Sequence, residues 1–202
     1  ASVSERFFAE GGFFTGDQRA RFVAPEIPAL RGERSASRPL LLNTGRIRDQ
    51  WHTMTRTGLS PRLGQHLRFP FVEIHPRDAC AAGVIDGGFA RIETDFGQCV
   101  LKVIVTDRQQ PGMLFVPIHW SDETSSSARV GALVAPHIDP YSGQPENKAT
   151  PVALSPCEYP QHGFALSRDV LSFPESVWWT RVAVTGGYGY LLASKRDVQW
   201  QA

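Results

Sequence analysis

The residues with the most chemical capacity lie in one stretch, Leu41-Leu42-Asn43-Thr44-Gly45-Arg46-Ile47-Arg48-Asp49-Gln50-Trp51-His52-Thr53-Met54-Thr55-Arg56. Between Arg46 and Arg68 stand five arginines (46, 48, 56, 62 and 68) and two histidines (52 and 66) against a single acid, Asp49. That balance suits an anion. Guanidinium forks take phosphate oxygens in pairs, while backbone N–H groups and hydroxyls fill the closer contacts. Trp51 offers a flat face to a ring system. The apolar run from Pro39 to Leu42 reads as a short buried strand that breaks into a turn at Asn43-Thr44-Gly45. A strand end opening into glycine, hydroxyls and arginines is suited to an anion with an aromatic part. An arginine-rich surface loop with solvated charges has the same composition.

A second place of interest is Ile118-His119-Trp120-Ser121-Asp122, at the end of an expected strand, Met113 to Pro117. His119 and Trp120 there can line a pocket or pack beneath the loop. Lys148, by residue type alone, is an ordinary solvated lysine. Cys80, Cys99 and Cys157 are too few and too far apart for a zinc or iron–sulfur site, which needs close paired spacings. They read as small buried apolar side chains in a reducing compartment. A hydrolytic set drawn from His52, His75, His119 and Asp78 lacks a Gly-x-Ser-x-Gly elbow, and four scattered residues make no pattern.

The elements that must position these groups are mostly strands. The 202 residues are 42% hydrophobic and 20% charged with a net charge of +1, which fits a globular core and argues against bulk nucleic-acid or membrane-surface binding. No apolar run approaches the roughly 20 residues needed to cross a bilayer. The start lacks both Met and a signal-peptide layout, so the chain is expected to be excised from something longer. Residues 1–38 read as a lead-in, with a hairpin of 13–15 and 20–23 around Gly16-Asp17 and a Pro/Arg/Ser-rich linker over 24–37.

Residues 39–154 hold the core. A strand is expected at 71–75, and a two-turn helix from Pro76 to Gly83. A hairpin of 84–94 and 98–106 turns at Asp95-Phe96-Gly97. Residues 128–134 re-enter the core, and 139–148 close it. Residues 155–202 form an extension, loop-rich around Pro156, Pro160 and Pro174. It then makes a β-hairpin of 177–184 and 188–192 across Thr185-Gly186-Gly187, whose aromatic load must pack on the barrel or on further domains. The fold class is mainly β, with a few short helices and a C-terminal β-hairpin extension.

The string Leu-Asn-Thr-Gly-Arg-x-Arg-Asp-Gln-Trp-His-Thr-Met-Thr-Arg-Thr-Gly, residues 42–58, resembles the opening of the C-terminal dinucleotide-binding domain of molybdopterin oxidoreductases, the DMSO reductase superfamily. Within them it is most similar to catalytic subunits of assimilatory nitrate reductases. The resemblance implies a double-psi β-barrel and a cytoplasmic enzyme reducing nitrate to nitrite. The implied cofactor is molybdenum carried by two molybdopterin guanine dinucleotides (Mo-bis-MGD). It gives Thr44, Gly45 and Arg46 phosphate or pterin oxygens, and Trp51, His52 and Thr53 the ring system, with Gln50 supplying an amide. Pro117-x-His119-Trp120 resembles the family's segment near the active-site funnel, and Lys148 matches a lysine that reaches the pterin. Gly131 stands where many members carry Asn, which leaves at most a backbone contact.

The implied partners are the cofactor, the rest of the enzyme and an electron-donor protein or domain. An iron–sulfur cluster is expected only upstream. With no four-cysteine motif and no side chain for the molybdenum, the chain is expected to be inactive alone. Two other readings stay open. One is a different molybdopterin oxidoreductase such as a formate dehydrogenase. The other is a stand-alone barrel binding nucleic acid through Arg46 to Arg68, against which the near-neutral charge counts.

Overall fold

Apolar residues alternating over short runs form the strands, and the most buried residue of each points to a common interior. A computed structural model describes residues 7–9, 11–26 and 29–195. The chain falls into two units, residues 1–30 and 31–202. In the second, β1 (Leu40–Gly45), β2 (Phe71–Ile74), β3 (Phe89–Glu93), β4 (Gln98–Val105), β5 (Met113–Pro117) and β6 (Thr150–Cys157) close into a barrel in the order β1-β5-β2-β4-β3-β6. The pairs β1/β5 and β2/β4 are parallel and the others antiparallel. Closure removes the free edges, and a barrel this narrow fills its interior with side chains. Leu42, Val72, Ile92, Leu101, Leu114 and Val152, one from each strand, have no exposed surface.

The helix α1 (Pro76–Ala82) forms where proline and glycine bracket it. Pro76 occupies the first turn, His75 Nδ1 accepts a hydrogen bond from Arg77 N at 3.1 Å, and Gly83 closes the end at φ 68°. The β3–β4 hairpin also forms, with β3 starting at Phe89 rather than Val84. Residues 84–88 turn instead: Gly87 has φ 72°, and Asp86 accepts from Val105 N at 2.8 Å. Ala128, Val130 and Leu133 do return to the core, through a 3-10 turn at Val130–Ala132.

Two expectations of local structure fail outright. Asn43-Thr44-Gly45 is strand, not turn, because it pairs in parallel with Phe115, Val116 and Pro117, and pairing overrides local turn preference. The lead-in hairpin is absent: Phe13 N donates to Gln18 O and Gln18 N to Thr15 O, making one turn without strands. Phe8 stacks on Phe13 at 4.7 Å, while Phe14 and Phe22 are exposed. A two-stranded ribbon with no buried face is marginal in water. Of the three free cysteines, Cys99 and Cys157 are buried as expected, and burial pushes the Cys99 thiol up to about 12. Cys80, also read as buried, is instead exposed, because α1 turns Ala79 and not Cys80 toward the core.

Beyond the barrel, β7 (Gln161–Ser167), β8 (Val177–Val184) and β9 (Gly187–Ser194) form a sheet in the order β7-β9-β8. The expected hairpin is β8–β9; β7 and the end of β6 occupy the stretch read as loop. The aromatic load packs on the barrel. Trp178 meets Phe89 edge-on at 4.8 Å and its Nε1 donates to Val100 O at 2.8 Å. Among the described residues, no helix is long and apolar enough to cross a membrane.

Gly187 starts β9 beside β7, and a Cβ there would lie 2.2 Å from Ser167 O. A backbone atom has little freedom to yield. Gly187→Ala is expected to lower stability by about 1–3 kcal/mol in urea unfolding. Gly131→Ala, with nothing within 4 Å of the added carbon, should move it far less. Equal midpoints for the two variants would contradict the packing of β7 on β9.

Candidate functional site

The site is built where β1 and β5 end side by side. Gly45 pairs with Pro117, and its carbonyl accepts from Ile118 N at 2.9 Å. A Cβ on Gly45 would lie 2.6 Å from the Phe115 ring, so the close strand approach excludes a side chain. The two chains then part. One becomes the loop from Arg46 to Gln65; the other buries His119 and Trp120 beneath it.

His119, with no exposed surface, ties the loop's ends together. Its Nε2 accepts from Ile47 N at 2.9 Å, and Nδ1 faces His52 O at 2.6 Å. An acceptor at one nitrogen and a carbonyl at the other require the neutral Nδ1–H tautomer. Burial holds the imidazole below its ordinary pKa, and the nearby Arg46 charge adds to this, while the His52 carbonyl works the other way. In the same loop His52 has φ 43° and Met54 φ 62°, conformations that non-glycine residues adopt only when their surroundings fix them. Gln50, 5% exposed, supports the next turn by accepting from Thr57 Oγ1 at 2.7 Å.

The outer face of the loop carries the charge. The Arg46 guanidinium lies 5.0 Å over the Trp51 ring, which is 61% exposed and meets His52 edge-on. Arg48 is occupied by Asp49, and the arginine's hydrogen bonds hold that carboxyl below the usual carboxylate range. No carboxylate among the described residues pairs with Arg46. It is a cation held ready on an aromatic face.

The closing stretch reaches the same strand end. Thr44 Oγ1 donates to Asn147 O at 2.9 Å, and Lys148 Nζ donates to Thr44 O. Asn147 Oδ1 is buried with no hydrogen-bond partner. Buried acceptors are normally satisfied, so this one marks a place where a donor is missing.

Nine of the ten residues singled out by sequence therefore meet on or against one loop, on two faces. Thr44, Gln50 and His119 face inward and hold the backbone; Arg46, Trp51 and His52 face solvent. Thr53 is exposed beside Thr55. Lys148 closes onto β1. Gly131 is not joined to them: its turn packs on the β3–β4 turn, with Ala132 O close to Gly97 and Arg129 O accepting from Cys99 Sγ. Sequence reasoning missed Asn147, whose only signal was its place beside Lys148. It also missed Arg181 and Tyr188 of the C-terminal sheet. These line, with Gln50, Thr53 and Trp120, a hollow of about 140 Å³ between the loop and β8.

Residues 40–151 match the family described as "Molydopterin dinucleotide binding domain". A nitrate reductase from Klebsiella oxytoca is 44% identical over 170 residues, 84% of this chain and 20% of that protein. The assimilatory nitrate reductase catalytic subunit of Bacillus subtilis is 31% identical over 153 residues, 75% of this chain and 21% of its own length. A putative formate dehydrogenase from the same organism is 31% identical over 147 residues, 72% of this chain and 14% of its own. The chain spans about a fifth of the length of the curated nitrate reductases it matches. With a match of this extent over the barrel itself, the chain belongs to the molybdopterin dinucleotide-binding domain family.

Proposed function

We propose that this chain is the cofactor-binding domain of a molybdenum-dependent nitrate reductase and takes molybdopterin guanine dinucleotide at the end of β1. The observation that carries the reading is the convergence there of Arg46 on Trp51, Lys148 on Thr44, and the unpartnered Asn147 Oδ1. The ligand has anionic oxygens in its pyrophosphate and N–H donors on its pterin and guanine. A site whose cations no carboxylate among the described residues neutralises, beside an orphaned acceptor, fits a group bearing both.

Arg46, Trp51, His52, Thr53, Asn147 and Lys148 would hold it. Thr44, Gly45, Gln50 and His119 support them from beneath, and Gly131 leaves open space. The bound molybdenum supplies oxygen-atom transfer from nitrate; the chain's residues bind and orient its carrier. Nitrate rather than formate is favoured by 44% against 31% identity.

The same reading makes the barrel a double-psi barrel, a form that its parallel β1/β5 and β2/β4 pairs support. It makes the enzyme assimilatory and cytoplasmic, in line with three unpaired cysteines. The rest of the enzyme, with an iron–sulfur cluster and an electron donor, completes it.

The test is purification of the full-length enzyme from cells given molybdate. Acid release should yield GMP, and reduced viologen should drive nitrate to nitrite. Enzyme that releases no GMP, or oxidises formate and spares nitrate, refutes the assignment.

A further inference from the structure

The hollow between the loop and β8 holds a cation. Arg181 lines it, its guanidinium lying 5.0 Å over the Tyr188 ring. No carboxylate among the described residues pairs with it. The strand that carries it is firmly held: Arg181 N donates to Thr124 O at 2.8 Å, and Thr180 Oγ1 to the same carbonyl at 3.2 Å. Thr53 and Thr55 line it too, their hydroxyls 3.3 Å from each other. Glu123, exposed on the rim, supplies the one opposing charge. A guanidinium held by its strand and hydroxyl donors lining one hollow make an anion site.

We propose that Arg181 is a further anion-binding residue, and that the C-terminal sheet thereby completes a subsite for one oxyanion. Its occupant is either a phosphate of the dinucleotide or free nitrate. The inference rests on the proposed function, since the loop forming the other wall is the one assigned to the cofactor.

The experiment compares Arg181→Gln, Arg181→Lys and Glu123→Gln in the full-length enzyme. It reads molybdenum and GMP per chain, nitrate KM and kcat, and urea unfolding. Loss of one charge-assisted contact in Arg181→Gln is worth about tenfold in affinity. A fall in GMP and molybdenum content assigns the subsite to a dinucleotide phosphate. Unchanged content, with KM raised and kcat kept, assigns it to nitrate.

In either case Arg181→Lys should fall between, and Glu123→Gln should move the same quantity the opposite way. Content and KM both as in wild type for Arg181→Gln overturn the proposal. If that variant unfolds early, the decision passes to the other two, and no change in either overturns it. Arg46→Ala, measured alongside, separates the two ideas: full cofactor content there refutes the loop assignment without touching the result for Arg181.

Discussion

Replacing His119 with alanine is expected to release the loop and strip the enzyme of cofactor. The ring is fully buried and serves two backbone groups at once, Ile47 N–H and His52 C=O. Alanine leaves both without a partner and opens a cavity where the ring stood. Together these should lower stability by about 3–5 kcal/mol, read in urea unfolding. His119→Gln, whose amide both accepts and donates, should recover part of the loss.

The pH dependence separates this bridge from simple packing. Burial keeps the folded imidazole below its ordinary pKa of 6.5, so the unfolded chain takes a proton first on acidification. The stabilisation is complete above pH 6.5 and is lost as pH falls below it toward the folded value. His119→Gln should lack that part of the slope. A variant that unfolds at the wild-type midpoint with the wild-type acid slope would show that the histidine bridges nothing.

The parts of this architecture that could be read from sequence were those decided by a few neighbouring residues. Pro76 and Gly83 bracket α1 because each acts on its own backbone. Asp95-Phe96-Gly97 turns the β3–β4 hairpin between two runs that pair with each other. The misreadings have a common physical origin in distant partners. Asn43-Thr44-Gly45 carries every local sign of a turn, yet the pairing with residues 115–117 makes it strand.

Pro151 and Pro156 argue against a strand locally, yet β6 runs through both because β1 and β3 flank it. Strand β7 turns Phe164 and Leu166 outward and its small residues inward, the reverse of an apolar-in pattern, so only β9 beside it defines it. The site divides in the same way. The 44–53 loop was legible as a string, and so was its chemistry. That His119 works beneath the loop rather than at its surface depends on a contact spanning 72 residues. Arg181 is one charge in an aromatic hairpin, and only the sheet's position against the loop sets it in the hollow.

The same division between face and support predicts that Arg46→Ala will behave as the mirror image of the His119 variant. Arg46 is exposed, its guanidinium 5.0 Å over the Trp51 ring and paired with no carboxylate among the described residues. Its removal should leave unfolding within about 0.5 kcal/mol of wild type. A guanidinium that meets an anionic oxygen contributes about 1.5–3 kcal/mol to binding, so affinity should fall roughly ten- to hundredfold.

Molybdenum and GMP per chain in the purified full-length enzyme should drop accordingly. Arg46→Lys keeps the charge but loses the fork and the stacking plane, and should fall between the two. Trp51→Leu tests the ring's part: it leaves the guanidinium in place without its platform, and should reduce loading less than Arg46→Ala. The nucleic-acid alternative predicts something else, a loss of single-stranded DNA binding that grows steeply as salt is lowered, with cofactor content intact. Wild-type cofactor content in Arg46→Ala would leave the outer face of this loop without a function, since nothing in the fold requires a guanidinium on that tryptophan.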